Sequence, residues 1–286
     1  MEPFIRAARV EDIARVVELL ATRMNRRIAR ARWHRMLTHS WLAGRPDIGR
    51  LVEKDGAILG FLGMIYAERP IGGRVERIVN LTSWYLDKTL RGRGLGEGLL
   101  KAAVAGSDCT FTAITVSRNS LPIFRNHGFR NLDDSHLVWR RSGAGATGLA
   151  VARDPAAVRA ALDNTQCRML DDHAGLAVRP VLAEHAGRRC LLLFSVSRKG
   201  ADVETWDVLH ASDRAFLAEH GQGLAEALLP AGAAVLAADP RLVDGHAPGA
   251  TPYPLPIPRL YRSRRLAPEQ VDFLYNELQL LDLKLD

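Results

Sequence analysis

The chain of 286 residues is long enough for two domains of ordinary size, and 47% hydrophobic content is enough to fill packed cores. A formal net charge of +7 admits a nucleic-acid, anionic-surface or phosphate-rich partner, although abundant Arg among Ala and Gly also fits GC-rich coding. Residues 1–17 carry charges and lack the apolar run of a secretory signal, and stretches such as 190–194 fall far short of a membrane span. Cys109, Cys167 and Cys190 are too scattered for a zinc site or a disulfide framework, so a cytoplasmic protein with reduced thiols and no metal is expected.

In chain order, residues 4–8 read as a short strand. Glu11 and Asp12 then precede Ile13, Val16, Val17, Leu19 and Leu20, an amphipathic helix with carboxylates at its positive end. Arg23, Arg26, Arg27, Arg30, Arg32 and Arg35, interleaved with Trp33 and His34, form a basic helical segment. It reads more readily as a solvated cationic face than as a site for an anionic acceptor. Residues 51–53 and 57–66 flank Asp55-Gly56, a strong hairpin signal, and a second turn at 71–74 leads into a strand at 76–86.

Arg91-Gly92-Arg93-Gly94-Leu95-Gly96 joins that strand to a helix over 96–105, with Leu99, Leu100, Ala103 and Val104 at helical spacing. A strand that turns sharply into a helix leaves the first N–H groups of the helix without partners. Glycines let a ligand approach that backbone, and the helix dipole favours an anion there, which makes a phosphate cradle. No Gly-Lys-Ser/Thr follows, so this is not a P-loop. Glu97 stands where a dinucleotide fingerprint needs its third glycine. A β-branched strand at 111–116 is followed by Ser117-Arg118-Asn119-Ser120 and, further on, Gly128-Phe129.

Arg91, Gly94 and Gly96 fill the pattern Gln/Arg-x-x-Gly-x-Gly/Ala, and Asn119 with Gly128-Phe129 loosely fills a second signature. In these two motifs, and in the strand and helix order around them, residues 1–140 resemble the GCN5-related N-acetyltransferase superfamily. The resemblance implies an α/β (α+β) fold, with a central mixed twisted sheet and helices on both faces. It implies acetyl-CoA, or another short acyl-CoA, as co-substrate. Trp84, Leu86, Arg91, Gly92 and Arg93 would face it, together with Gly94, Leu95, Gly96, Asn119 and Phe124. A backbone N–H near Leu86 would stabilise the developing oxyanion as an amine attacks.

Other catalytic positions depart from the superfamily. Phe124 stands where many members keep a Tyr that protonates the departing thiolate, leaving Tyr85, His127 or water for that task. Asn80 stands where the histone-modifying branch keeps a Glu. Residues 76, 78, 80, 82, 84 and 86 share a face if the strand is regular, which makes Glu76 the candidate base, directly or through water.

Residues 141–152 form a small-residue linker, and Asp154-Pro155 opens the first helix of a second α/β domain over 153–247. Residues 220–229 can be laid over 91–100 at an offset of 129, and Glu184 and Gly187 over Glu53 and Gly56 at an offset of 131. On that reading the second domain is a degenerate repeat of the first without a working cofactor site. Asp171-Asp172-His173 reads as a polar helix end rather than a metal cluster. Residues 248–286 comprise a stretch with five prolines, which should be neither regular helix nor central strand, and a last helix opened by Pro268. That helix carries Val271, Leu274, Tyr275, Leu278 and Leu281 on one face. This tail is expected to pack on a domain or on a second chain, as in a homodimer.

Together these features point to an N-acetyltransferase acting on a small-molecule, sugar or protein amine, with no membrane partner. Its rivals are an acyl-CoA-binding regulator, suggested by Phe124 and Asn80, and, last, a nucleic-acid-associated protein, suggested by the Arg-rich segments.

Overall fold

The computed structural model of the chain describes residues 2–106, 108–143, 148–200 and 202–283. Within the expected linker, residues 144–147 lie outside the described residues. Contacts divide the chain into two compact units. The first runs to Leu132 and is regained at Arg259–Gln270 and Tyr275–Leu283; the second comprises Asp133–Pro258 and Val271–Leu274.

The first unit contains β1 (Phe4–Ala8), α1 (Ile13–Leu19), α2 (Arg30–Thr38), β2 (Gly49–Lys54) and β3 (Ala57–Ile71). It continues with β4 (Arg74–Leu86), α3 (Leu95–Val104), β5 (Thr110–Ala113) and α4 (Leu121–Asn126). β6 (Arg130–Trp139) leads into the second unit, which holds β7 (Ala150–Ala152), α5 (Pro155–Ala160), α6 (Asn164–Asp172) and β8 (Arg179–His185). There follow β9 (Arg188–Lys199), β10 (Val203–Ala211), α7 (Arg214–Leu228) and β11 (Ala234–Ala238). β12 (Thr251–Arg262) begins in the second unit and ends in the first, where α8 (Glu277–Leu281) also lies. Among the described residues no helix is long and apolar enough to cross a membrane.

The strands of the first unit follow the order β1-β2-β3-β4-β5-β12. All pairs are antiparallel except β4 with β5. Asp55 and Gly56 take φ of 49° and 76° between β2 and β3. A two-residue hairpin turn that matches the twist of its strands needs positive φ at both positions. α3 packs Leu99, Leu100, Ala103 and Val104 against Leu62, Val79, Leu81, Phe111 and Leu260. Each fully buried leucine in such a cluster contributes roughly 1.5–3 kcal/mol. α1 and α2 bury Ile13, Val16, Val17, Trp33, Met36 and Leu37.

The second unit follows the order β6-β11-β10-β9-β8-β7, again antiparallel except for one pair, β10 with β11. α7 connects that parallel pair as α3 connects β4 to β5. Ala186 and Gly187, at φ of 49° and 79°, repeat the turn of Asp55 and Gly56. The glycine loop is not repeated. Gly221 and Gly223 lie inside α7, and a Cβ on Gly221 would stand 2.5 Å from the Trp139 ring, so this glycine serves close packing. The start of α7 is capped by Asp213, whose carboxylate accepts from the Phe216 N–H at 2.8 Å. A carboxylate therefore occupies the anion-favouring spot that the first unit leaves to its glycines.

Several other expectations differ from the structure. The compact units do not follow the boundaries 1–140, 153–247 and 248–286. β6 carries the chain into the second unit from Asp133, and two C-terminal segments return to the first unit. The proline-rich stretch is a strand, β12. Its prolines fall at 252, 254, 256 and 258, so the missing N–H groups all lie on one edge, and pairing with β5 begins beyond them at Leu260. The final helix is split: Pro268–Gln270 forms one 3-10 turn, Tyr275 takes φ of 62°, and a regular helix covers Glu277–Leu281. Cys109 and Cys167 are half-buried, Cys190 is buried, and all three are free thiols.

Candidate active site

The site begins with an irregularity in β4. Gly60 faces Leu86 and Phe61 faces Tyr85, but Gly63 faces Thr82, so Ser83 and Trp84 together stand opposite Leu62. Ser83 takes φ of 54°. An extra residue of this kind is a β-bulge, which leaves one backbone unit outside the ladder and re-aims the side chains beyond it. The bulge breaks the alternation assumed from the sequence. Asn80, Thr82 and Tyr85 share one side, while Leu81, Trp84 and Leu86 share the other.

A second irregularity lies between β4 and β5. Their ladder pairs Ile78 with Thr110, Val79 with Phe111 and Asn80 with Thr112, and then stops. The Asn80 amide closes the apex by donating to Thr112 Oγ1 at 3.1 Å. Beyond it the two chains part, one running to Leu86 and the other to Ser117.

Where they end lies a cleft of about 500 Å3. Trp84, Tyr85 and Leu86 line it from β4, Arg91, Gly92, Gly94, Gly96 and Glu97 from the loop and α3, and Ser117, Asn119, Ser120 and Ile123 from the far side. Gly92 and Gly94 take φ of 76° and 74°, and no atom lies within 4 Å of where their Cβ atoms would be. Any other residue would be strained there by its own backbone, although the space is open. Gly94 caps α3, whose first-turn N–H groups have no intrahelical acceptors. Arg91 Nε donates to the Leu86 carbonyl at 3.1 Å, fixing the loop to the strand end. Opposite, the Ser117 and Ser120 hydroxyls lie 2.8 Å apart and brace the turn that carries Asn119.

The cleft thus gathers Trp84, Tyr85, Leu86, Arg91, Gly92, Gly94, Gly96 and Asn119 from the residues singled out in the sequence. Four others stand elsewhere or do not line it. Arg93 and Leu95 belong to the loop and the first helical position without lining the cleft. Phe124 is buried in the core, edge-on to Trp84 at 5.2 Å and to Phe129 at 4.9 Å, so it supports the Trp84 wall from behind. Glu76 is buried near the other end of β4, 3.8 Å from Arg265.

His127 contacts Glu97 at 2.9 Å, which draws this helix-end residue to the lip of the cleft. Glu97, Ser117, Ser120 and Ile123 were not singled out in the sequence, and their contribution depends on how α3 and α4 converge. The basic segment also has partners. Arg30 pairs with Glu18, while Arg35 Nε donates to the Leu280 carbonyl at 2.6 Å and Arg32 to the Leu281 carbonyl at 3.2 Å. Arg32 and Arg35 therefore hold the end of α8 rather than forming a free cationic face.

Comparison with known proteins bears on the same region. Residues 13–129 match the model of the Acetyltransferase (GNAT) family. No curated protein matches the chain. Among solved structures, the fold is similar to a probable N-acyltransferase from Enterococcus faecalis V583, with a TM-score of 0.58 at 12% identity, covering 92% of this chain and 73% of that one. It is also similar to a GCN5-related N-acetyltransferase from Kribbella flavida, with a TM-score of 0.55 at 14% identity, covering 92% and 71%. A third, from Anabaena variabilis ATCC 29413, gives a TM-score of 0.54 at 10% identity, covering 91% and 72%. At these identities the likeness is one of fold. The glycine loop, the parting strands and the matched segment converge on one conclusion: residues 13–129 form a domain of the acetyltransferase (GNAT) family.

Proposed function

We propose that the protein is an acyl-CoA-dependent N-acyltransferase that moves an acetyl group from acetyl-CoA to an amine. The observation that carries this reading is the continuity of the cradle at the start of α3 with the fork between β4 and β5. The residues present fit the cofactor. Gly92 and Gly94 open the loop backbone, the first turn of α3 aims N–H donors at the same spot, and the cleft volume of about 500 Å3 suits a pantetheine arm entering between the strands. When bound, acetyl-CoA would supply an activated thioester.

The chain's own contribution is to hold two reactants in line, which can account for several kcal/mol of a transfer barrier. The main-chain amides of 92–96 would bind the diphosphate, and Asn119 would bind the arm. The bulge at Ser83 and Trp84 frees a backbone donor slightly earlier than Leu86, the position read from the sequence. There it could meet the thioester carbonyl. The second unit, with the same strand order but Asp213 in place of a cradle, is read as a degenerate repeat.

The reading is tested by incubating the protein with acetyl-CoA and a panel of primary amines, with detection of released thiol. Release of CoA that depends on both protein and amine is expected. Binding of acetyl-CoA without release would favour the regulator, for which the core position of Phe124 speaks. Failure of acetyl-CoA to bind would refute both.

A further inference from the structure

The apex of the fork holds a carboxyl group that the family motifs do not include. Glu277, the first residue of α8, is fully buried in the first unit. Its Oε1 accepts from Thr115 Oγ1 at 2.7 Å, and its N–H approaches Asn80 Oδ1 at 3.4 Å. Thr115 lies on the chain leaving β5 and Asn80 on β4, so Glu277 touches both limbs just where their ladder ends. Its second oxygen, Oε2, has no hydrogen-bond partner among the described residues. A buried carboxyl oxygen left unpaired carries a desolvation cost that pure packing does not explain.

The segment is built to place that group. Asn276 caps α8 by accepting from the Leu278 N–H at 2.8 Å, and Gln279 reaches back to the Asn276 N–H at 3.0 Å. Tyr275, at φ of 62°, stacks edge-on with Trp41 at 5.3 Å and lies beneath Arg69 at 4.9 Å. Arg32 and Arg35 of α2 hold the carbonyls at the other end of the helix.

We propose that Glu277 is the general base of this site, brought by the C-terminal segment to the place where Asn80 cannot act. The proposal rests on the acyltransfer reading. In the step, the amine nitrogen forms its bond to the acyl carbon as the carbon–sulfur bond breaks. The nitrogen gives its proton to Glu277 Oε2 through one water. The departing thiolate takes a proton from solvent, and Glu277 returns its own to solvent.

Desolvation pushes the Glu277 carboxyl up to about 7, despite hydrogen bonds from Thr115 and Asn80 that act the other way. A base is most effective when it titrates near the working pH. The groups facing it, Asn80 from β4 and Thr115 beyond β5, are neutral. Cations on the elements packed around it have other partners: Arg32 and Arg35 hold the end of α8, and Arg69 lies over the Tyr275 ring.

The test compares wild type with Glu277→Gln, which keeps an acceptor for Thr115 and removes the cost of a buried charge. Acetyl-CoA binding is followed by thermal shift, and CoA release is measured with primary amines and with hydroxylamine. Hydroxylamine is already unprotonated and strongly nucleophilic at neutral pH. The expected result is unchanged acetyl-CoA binding, a 100-fold or greater fall in kcat with primary amines, and loss of the limb near pH 7. Turnover with hydroxylamine should fall less than tenfold. A variant that retains wild-type turnover and pH profile with primary amines overturns the proposal and leaves acyltransfer standing. Equal losses with both nucleophiles, or weakened acetyl-CoA binding, would mark a structural role and also overturn it. A wild type that binds acetyl-CoA but releases no CoA with any nucleophile overturns it together with acyltransfer.

Discussion

Replacing Gly94 with Glu tests the cradle at the residue that caps α3. Gly94 has φ of 74° and no atom within 4 Å of its Cβ position, so the substitution causes backbone strain but no clash. Forcing an L residue into the left-handed region costs roughly 1–2 kcal/mol. For a domain of this size that lowers Tm by about 2–8 °C. Its effect on ligand binding is separate, because the new carboxylate hangs over the first turn of α3, where an anion would otherwise bind. Saturating the wild type with acetyl-CoA at about 100 times its Kd adds roughly 2.7 kcal/mol, or about 5–10 °C. In Gly94→Glu that rise should disappear. The control is Gly106→Glu, which carries a similar strain at φ of 62° in equally open space but does not line the cleft. It should lose a similar amount of intrinsic stability and keep the full ligand-induced rise. Differential scanning fluorimetry with and without acetyl-CoA reads both quantities. A Gly94→Glu protein that retains the rise, or a Gly106→Glu protein that loses it equally, would refute the placement of the diphosphate.

Two further predictions concern the folds of the units. Gly221→Ala would put a methyl group 2.5 Å from the fully buried Trp139 ring, and should destabilise the second unit by about 1–3 kcal/mol in denaturant titrations; an unchanged midpoint would mean that α7 can move away freely. In the first unit, the Arg6 guanidinium makes two hydrogen bonds to Asp12, at 2.7 and 2.8 Å, and holds its carboxyl below the ordinary 3.8. Because the folded value is the lower one, this contribution is present above about pH 4 and is lost as pH falls through the folded value. Arg6→Ala should therefore cost about 1.5–3 kcal/mol at pH 7 and progressively less as the pH is lowered below about 4, measured by urea unfolding across that range. An equal cost at both ends would contradict the ion-pair account.

Much of the first unit was legible because its signals are local. The Asp-Gly turn requires positive φ at both residues, the spacing of Leu99, Leu100, Ala103 and Val104 defines one helical face, and Gly92 and Gly94 mark the strand-to-helix turn. The second set of glycines misled for an equally physical reason. A glycine read from sequence does not reveal whether it serves a left-handed turn or a close approach, and Gly221 lies against Trp139 within a regular helix. The prolines of β12 argue by themselves against a regular helix or a central strand, but alternation by two places every missing donor on one edge.

The residues from Arg91 to Gly96 specified the cradle by themselves, because backbone geometry and an unpaired helix start depend on neighbours only a few positions away. Whether a carboxyl group reaches the fork could be decided only by the folded chain. Glu277 is 197 residues from Asn80, and its hydrogen bond to that residue forms because Arg32, Arg35 and Trp41 hold the returning segment against the first unit. The bulge at Ser83 is likewise a matter of register against β3, and the face that Tyr85 presents follows from that pairing rather than from the alternation of its own strand.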